Sequence, residues 1–142
     1  DDVFLDDKIP LLVINNHLGH TKSYLVTVVT SPGTDYPYGE VIVGSNGKVE
    51  KFVEKPFVSK LTHTGLCVME PAVYSEINKL VNLESETAQE FERVVLEEMA
   101  KDGKVANYTI SSHDAWIPIN TQKEFEMVKT KLEKKISSDI IS

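Results

Sequence analysis

The chain has 142 residues, 41% of them hydrophobic, which is the length of one ordinary domain and enough to bury a core. Its formal charge of -7 offers no basic face to a phosphate backbone, so nucleic acid is not expected as a partner, while small anionic ligands stay open. The single cysteine, Cys67, excludes an internal disulfide framework and suits a reducing compartment, the cytoplasm by default; no apolar stretch has membrane-spanning length, so no membrane partner is expected.

Residues 1–5 have neither a disordered composition nor an initiator methionine, and the sequence reads as a piece of something longer. Asp6 or Asp7 is expected to cap a helix with Ile9, Leu12, Val13 and Leu18 on its apolar face, Pro10 in the first turn and Gly19 as the stop. His17 and His20 close that helix. With no third ligand near them in sequence, they read as solvated rather than metal-binding.

Residues 24–30 form a β-branched run that is apolar on both parities, at Leu25, Val26, Val28 and Val29, the pattern of a strand covered on both faces. After a turn-rich stretch, residues 38–43 and 48–53 pair as a hairpin across Ser45-Asn46-Gly47. Gly39, at the start of the first arm, leaves room for a ligand or another backbone, and a glycine bulge fits equally well. The second arm ends in Glu54, Lys55 and Pro56. Since proline disfavours the helical region for the residue before it, Lys55 is expected to be extended, with its ammonium beside the Glu54 carboxylate at the strand end. Such an end suits a polar, anionic ligand; the same tripeptide also suits an exposed loop.

Residues 61–69 read as a further strand, followed by a helix from Pro71 with Val73, Tyr74, Ile77 and Leu80 inward. Thr87-Ala88-Gln89-Glu90 has the form of a capping box for a second helix that buries Phe91, Val94, Val95 and Met99, pairs Glu97 with Lys101 on its surface, and stops at Gly103. Residues 105–110 make another strand. Residues 115–119 are extended, with Pro118 pointing to an edge or loop, and Thr121-Gln122-Lys123-Glu124 caps a last helix carrying Phe125, Val128, Leu132 and Ile136. Residues 137–142 are expected to fray. Alternation of strands and helices around a two-faced strand predicts an α/β fold, a mixed, mainly parallel sheet with flanking helices.

The order of these signals carries a resemblance. A helix with Leu11-Leu12 ending near a histidine, the strand at Thr27-Val28-Val29, Tyr38-Gly39, the hairpin into Phe52-Val53-Glu54-Lys55-Pro56, then Thr64-Gly65-Leu66-Cys67-Val68 and Met69-Glu70-Pro71, Phe91-Glu92 through Gly103-Lys104, and Trp116 through Phe125 resemble the sugar-phosphate nucleotidyltransferases. The match runs from residue 2 to about residue 132 and covers the later part of that family's catalytic domain. It implies a Rossmann-like, nucleotide-diphospho-sugar transferase-like fold with its N-terminal part missing, residues 1–136 forming the sugar-phosphate-binding part of one domain.

By the same resemblance, Asp2 is the aspartate that binds Mg2+, Asp1 standing where the family usually has glycine. Gly39, Glu54 and Lys55 face a sugar-1-phosphate, Glu54 accepting sugar hydroxyls and Lys55 neutralising phosphate. Lys55 and Asp2 are thus the residues implied in catalysis, with His63, Thr64 and Gly65 as further substrate contacts. Two departures stand out. His63 replaces an asparagine that contacts sugar, and Pro118 stands where the family commonly has an aspartate that is a second magnesium ligand, with Asp114 and Asn120 the nearest compensators. The implied reaction is attack of a sugar-1-phosphate oxygen on the α-phosphorus of a nucleoside triphosphate, giving a nucleotide sugar and pyrophosphate. The glycine-rich loop that holds the triphosphate in the family is absent from this sequence, so this stretch alone is expected to bind triphosphate weakly and to turn over negligibly. A sheet without its first strands should expose an apolar edge and face that pair with another copy or with a companion N-terminal segment. The competing reading is a non-catalytic regulatory or partner-binding module that retains the fold, which Pro118 favours.

Overall fold

Strand β2 (Val26–Ser31) organises the molecule because both of its faces are apolar enough to bury, and both are covered. In the computed structural model, which describes residues 2–20 and 22–141 with side chains as far as Ser137, Val26 and Val29 are 0% exposed. The element order before β2 is β1 (Asp2–Phe4) and helix α1 (Ile9–Leu18). After it come β3 (Thr34–Asp35), β4 (Glu40–Val43), β5 (Val49–Val53), β6 (Phe57–Val58) and β7 (Thr62–Met69). Helix α2 (Val73–Leu80), a π-helical stretch (Glu92–Leu96) continuing into α3 (Glu97–Lys101), and β8 (Val105–Thr109) follow. A 3-10 turn (His113–Ala115) leads into β9 (Trp116–Pro118) and helix α4 (Gln122–Ile141).

The three-stranded sheet has the order β7-β2-β8. On one side Val26 packs with Val73 of α2 and with Val95, Leu96 and Met99 of the π-helix and α3; on the other, Val29 packs with Ile9 and Val13 of α1 and with Ile110. Removing the side chain of such a valine from water contributes about 1.5–3 kcal/mol, so the double cover makes β2 the anchor of the core. The sheet is mixed as expected, but its balance is the reverse of mainly parallel. Among the described strands β2–β8 is the one parallel pair, while β2–β7, β1–β9, β3–β6 and β4–β5 are antiparallel. The cause is the excursion after β2, which carries no crossover helix and brings β7 back antiparallel.

Local details correct several expectations. Neither Asp6 nor Asp7 caps α1: the N-cap position is Lys8, whose N–H is accepted by Asp6 Oδ1 at 3.0 Å. The inward face of α1 is Ile9, Val13 and His17, whereas Leu12 and Leu18 are exposed. The Thr87 capping box does not form. Gln89 instead bonds both main-chain groups of Asn82, Ser85 engages Thr87, and helical backbone begins only after Glu90, an instance of polar side chains satisfying a loop in preference to a helix end. Lys101 pairs with Glu98 rather than Glu97. On the neighbouring helices Tyr74, Phe125 and Ile136 are exposed, leaving Val73 and Val128 as the buried anchors of α2 and α4. The second capping box is present as expected, with Thr121 Oγ1 accepting from Glu124 N–H and Glu124 Oε2 accepting from Thr121 N–H. The helical backbone of α4 continues through residues 137–141 of the expected frayed tail; Asp1 and Ser142 lie outside the described residues. Apolar side chains do stay uncovered, on α1 at Leu11 and Leu18 and on the β4–β5 hairpin at Val43, Val49 and Phe52.

Candidate functional site

Strands β1 and β9 pair with Asp2 opposite Pro118 and Phe4 opposite Trp116. A directly facing proline offers neither a side-chain oxygen nor an amide hydrogen, so the carboxylate of Asp2 turns to the diagonal neighbour: Trp116 Nε1 donates to Asp2 Oδ1 at 2.9 Å. The other oxygen lies over Gly65. A Cβ at Gly65 would stand 3.2 Å from Asp2 Oδ2, and the backbone there has φ +80. That geometry comes from the β2–β7 ladder, whose register slips between Val28↔Cys67 and Thr30↔His63, so that residues 64–66 bulge. Glycine serves here both the left-handed backbone and the close carboxylate.

Thr64, in the same bulge, is fully buried with its hydroxyl donating to Val29 O at 3.0 Å, which leaves its main chain as what it can offer a ligand. His63 is half-buried, and its Nδ1 is buried without a hydrogen-bond partner among the described residues.

The second group of residues sits at a break in a long two-stranded ribbon. Strands β3 and β6 pair first, β4 and β5 pair beyond them, and between the two ladders residues 36–39 face residues 54–56. Tyr36 N–H donates to Pro56 O across the break at 2.9 Å, and Tyr36 meets Tyr38 edge to face. Gly39 is closely covered: a Cβ there would stand 2.6 Å from Phe52 Cζ and 3.2 Å from Glu54 Oε2. Lys55 is not extended. Its φ of 47 puts it in the left-handed region, at the break where the β5 arm passes into β6 and three residues, 54–56, stand opposite four, 36–39; that irregularity overrides the usual effect of a following proline. A non-glycine residue held there stores about 1–3 kcal/mol of strain, a feature that gathers at functional sites. Glu54 and Lys55 are both exposed to solvent.

Asp2 and Gly65 are therefore brought together, as are Gly39 and Glu54 with Lys55 beside them; the two groups lie on separate strand ladders. A cleft of about 210 Å³ is bordered by Thr34, Asp35, His113, Asp114, Trp116, Pro118 and Lys131, and neither group lines it. His113 packs tilted against Phe57 with ring centroids 4.6 Å apart, and its Nε2 lies 3.5 Å from Asp114 Oδ1. Asn120 is engaged through its N–H with Glu124, and that bond, with those from Thr121, holds the Glu124 carboxyl below the usual carboxylate range. Among the described residues no group of three His, Cys, Asp or Glu side chains converges on a point. What Asp2 offers a cation is one oxygen over a cradle that any Cβ at residue 65 would fill, which fits a Mg2+ held by one protein carboxylate and completed by phosphate oxygens.

One buried polar network was signalled in the sequence only by helical spacing. His17, 3% exposed, bonds Thr27 Oγ1 through Nδ1 at 2.8 Å and Glu70 Oε1 through Nε2 at 3.2 Å, tying α1 to β2 and to the end of β7. The helical spacing of Ile9, Val13 and His17 is the pattern that places it inward. Cys67 on β7 has its thiol pushed above the ordinary range by burial, with the Glu92 charge adding to it.

An α/β chain with a mixed central sheet and an aspartate beside a glycine bulge is the class of protein these features define. The family model for nucleotidyl transferases matches residues 1–135, and the chain belongs to that family. Curated relatives include the mannose-1-phosphate guanylyltransferase catalytic subunit beta of Drosophila melanogaster, 30% identical over 116 residues that cover 80% of this chain and 28% of that protein. The subunit of the same name from Danio rerio is 27% identical over 118 residues, covering 81% of this chain and 29% of that protein. Among solved structures, a Bacillus anthracis protein described as a glucose-1-phosphate thymidylyltransferase, in complex with sucrose, superposes with a TM-score of 0.53 at 19% identity, over 89% of this chain and 49% of that one. The chain thus spans less than a third of the length of these curated relatives and about half of the structural neighbour. Among the described residues no helix is long and apolar enough to cross a membrane.

Proposed function

We propose that residues 1–136 are the sugar-phosphate-binding part of a nucleotidyltransferase domain, in a protein that joins a nucleotidyl group from a nucleoside triphosphate to a sugar-1-phosphate and releases pyrophosphate. The observation that carries the reading is the break in the ribbon: Glu54 packed against Gly39, followed by Lys55 held in the left-handed region. In this reading Glu54 accepts hydrogen bonds from sugar hydroxyls and Lys55 lies against the 1-phosphate, orienting its oxygen for in-line attack on the α-phosphorus. His63 and the Gly65 bulge supply further contacts to the sugar. Asp2 holds Mg2+, which when bound neutralises phosphate charge. The single cysteine accords with a cytoplasmic setting.

The relatives' names select the first substrates to try. The test is pyrophosphate release by the intact protein with mannose-1-phosphate and GTP, with glucose-1-phosphate and dTTP, and with the crossed pairs. Release above background from at least one pair is expected, and no release from any pair by a folded sample would overturn the catalytic reading. A second reading rests on the register Asp2↔Pro118, which puts a residue without a ligand atom opposite the aspartate. There the chain is a regulatory or partner-binding module that binds sugar phosphate without turnover, and binding without pyrophosphate release would establish it.

A further inference from the structure

We propose that Trp116 is a positioning residue for Asp2: its indole N–H occupies Oδ1, so that Oδ2, over the bare α-carbon of Gly65, is the oxygen presented to a divalent cation. The inference deepens the function proposed above and rests on it for the identity of the cation.

Three features converge on one carboxylate. Pro118 faces Asp2 directly and offers it nothing, so no competing donor or ligand arises from the paired position. Trp116, one step along the same face of β9, is a donor only, and its bond to a charged oxygen cannot reverse its sense. Gly65 crowds Oδ2 with no side chain, and its φ of +80 keeps that position costly for any other residue. An exposed aspartate would otherwise sample several rotamers. One protein carboxylate holding a cation without a second gains most from having its orientation set in advance, since the rest of the coordination comes from mobile phosphates and water.

The bland alternative is that the bond merely staples the two short strands β1 and β9. The two are separated by following free Mn2+ by electron paramagnetic resonance in the intact protein, alone and with GTP, for wild type, Asp2→Asn, Trp116→Phe and Trp116→His. Asp2→Asn should abolish tight Mn2+ binding. Trp116→Phe, which keeps a ring but loses the donor, should weaken it about tenfold, the usual effect of removing a group that orients a metal ligand. Trp116→His, with a ring N–H, should recover part of the loss, a rescue that a purely packing role would not produce. Wild-type Mn2+ affinity in Trp116→Phe, with Asp2→Asn still defective, would overturn the positioning role and leave the cation reading standing. Wild-type affinity in Asp2→Asn would overturn both. Binding of a sugar-1-phosphate without metal, measured on the same variants, should be unchanged by Trp116→Phe, which keeps the fate of the sugar-phosphate reading separate.

Discussion

Glu54 Oε2 lies 3.2 Å from the point where a Cβ on residue 39 would stand, so the carboxylate rests against the bare face of the glycine. Gly39→Ala must displace Glu54 or the Phe52 ring, which is 2.6 Å from the same point. The expected outcome is a rise in KM for the sugar-1-phosphate on the order of tenfold or more with kcat less affected, the signature of lost ground-state positioning. Steady-state pyrophosphate release by the intact protein checks it.

Lys55 separates strain from function. Lys55→Gly removes a side chain from a backbone at φ 47 and should raise stability by about 1 kcal/mol, while Lys55→Ala keeps the strained backbone and should not. Both should lose affinity for sugar phosphate alike, because both lose the ammonium. Urea unfolding paired with ligand titration reads the two effects independently.

His17→Ala leaves the Thr27 hydroxyl buried without its partner and frees Glu70. A loss of about 1–3 kcal/mol is expected, measured by urea denaturation. His17→Phe, which fills the space but makes neither bond, should be no better than partly restored.

The capping box of α4 makes stability respond to acid. The Glu124 carboxyl is held below its usual range by the Asn120 N–H first and by Thr121 after it, so its contribution is complete above the ordinary carboxylate range and is lost as pH falls through the lowered folded value. Glu124→Gln should flatten that acid limb of a urea-midpoint-against-pH curve. Thr121→Ala should cost about 1 kcal/mol at neutral pH.

Cys67 should be slow to alkylate at neutral pH. Burial raises its thiol first and the Glu92 charge adds to it, so the folded state resists the thiolate, and stability falls as pH rises through the unfolded thiol's range. Iodoacetamide labelling followed by mass spectrometry should quicken only above that range or in urea.

How much of this was legible in the sequence depends on how local the cause was. The double cover of Val26 and Val29, the hairpin of β4 and β5, and the Thr121–Glu124 cap each follow from a few adjacent residues, and each is present. Asp2, Gly39, Glu54, Lys55 and Gly65 were singled out from motif order, and contacts group Asp2 with Gly65 and Gly39 with Glu54. What the sequence did not disclose are long-range choices. His17 read as a solvated helix end because its partner Glu70 is 53 residues away. Trp116 and Asp2 are 114 residues apart, and no spacing links them. Lys55 departs from expectation for another reason: the effect of Pro56 is a local preference, and the break between the two ladders of the ribbon outweighs it. The Thr87 box failed likewise, its polar groups drawn to the nearby loop.

The central claim is that the end of β5 holds the phosphate of a sugar-1-phosphate. Isothermal titration of the intact protein with mannose-1-phosphate or glucose-1-phosphate, set against the same sugar without phosphate and against Lys55→Ala, tests it most directly. The account predicts binding that needs the phosphate and weakens at least about tenfold in Lys55→Ala, with Tm unchanged, since loss of a charge-assisted contact is worth that much. Equal affinity for sugar and sugar phosphate, or an unaltered affinity in Lys55→Ala, would contradict it.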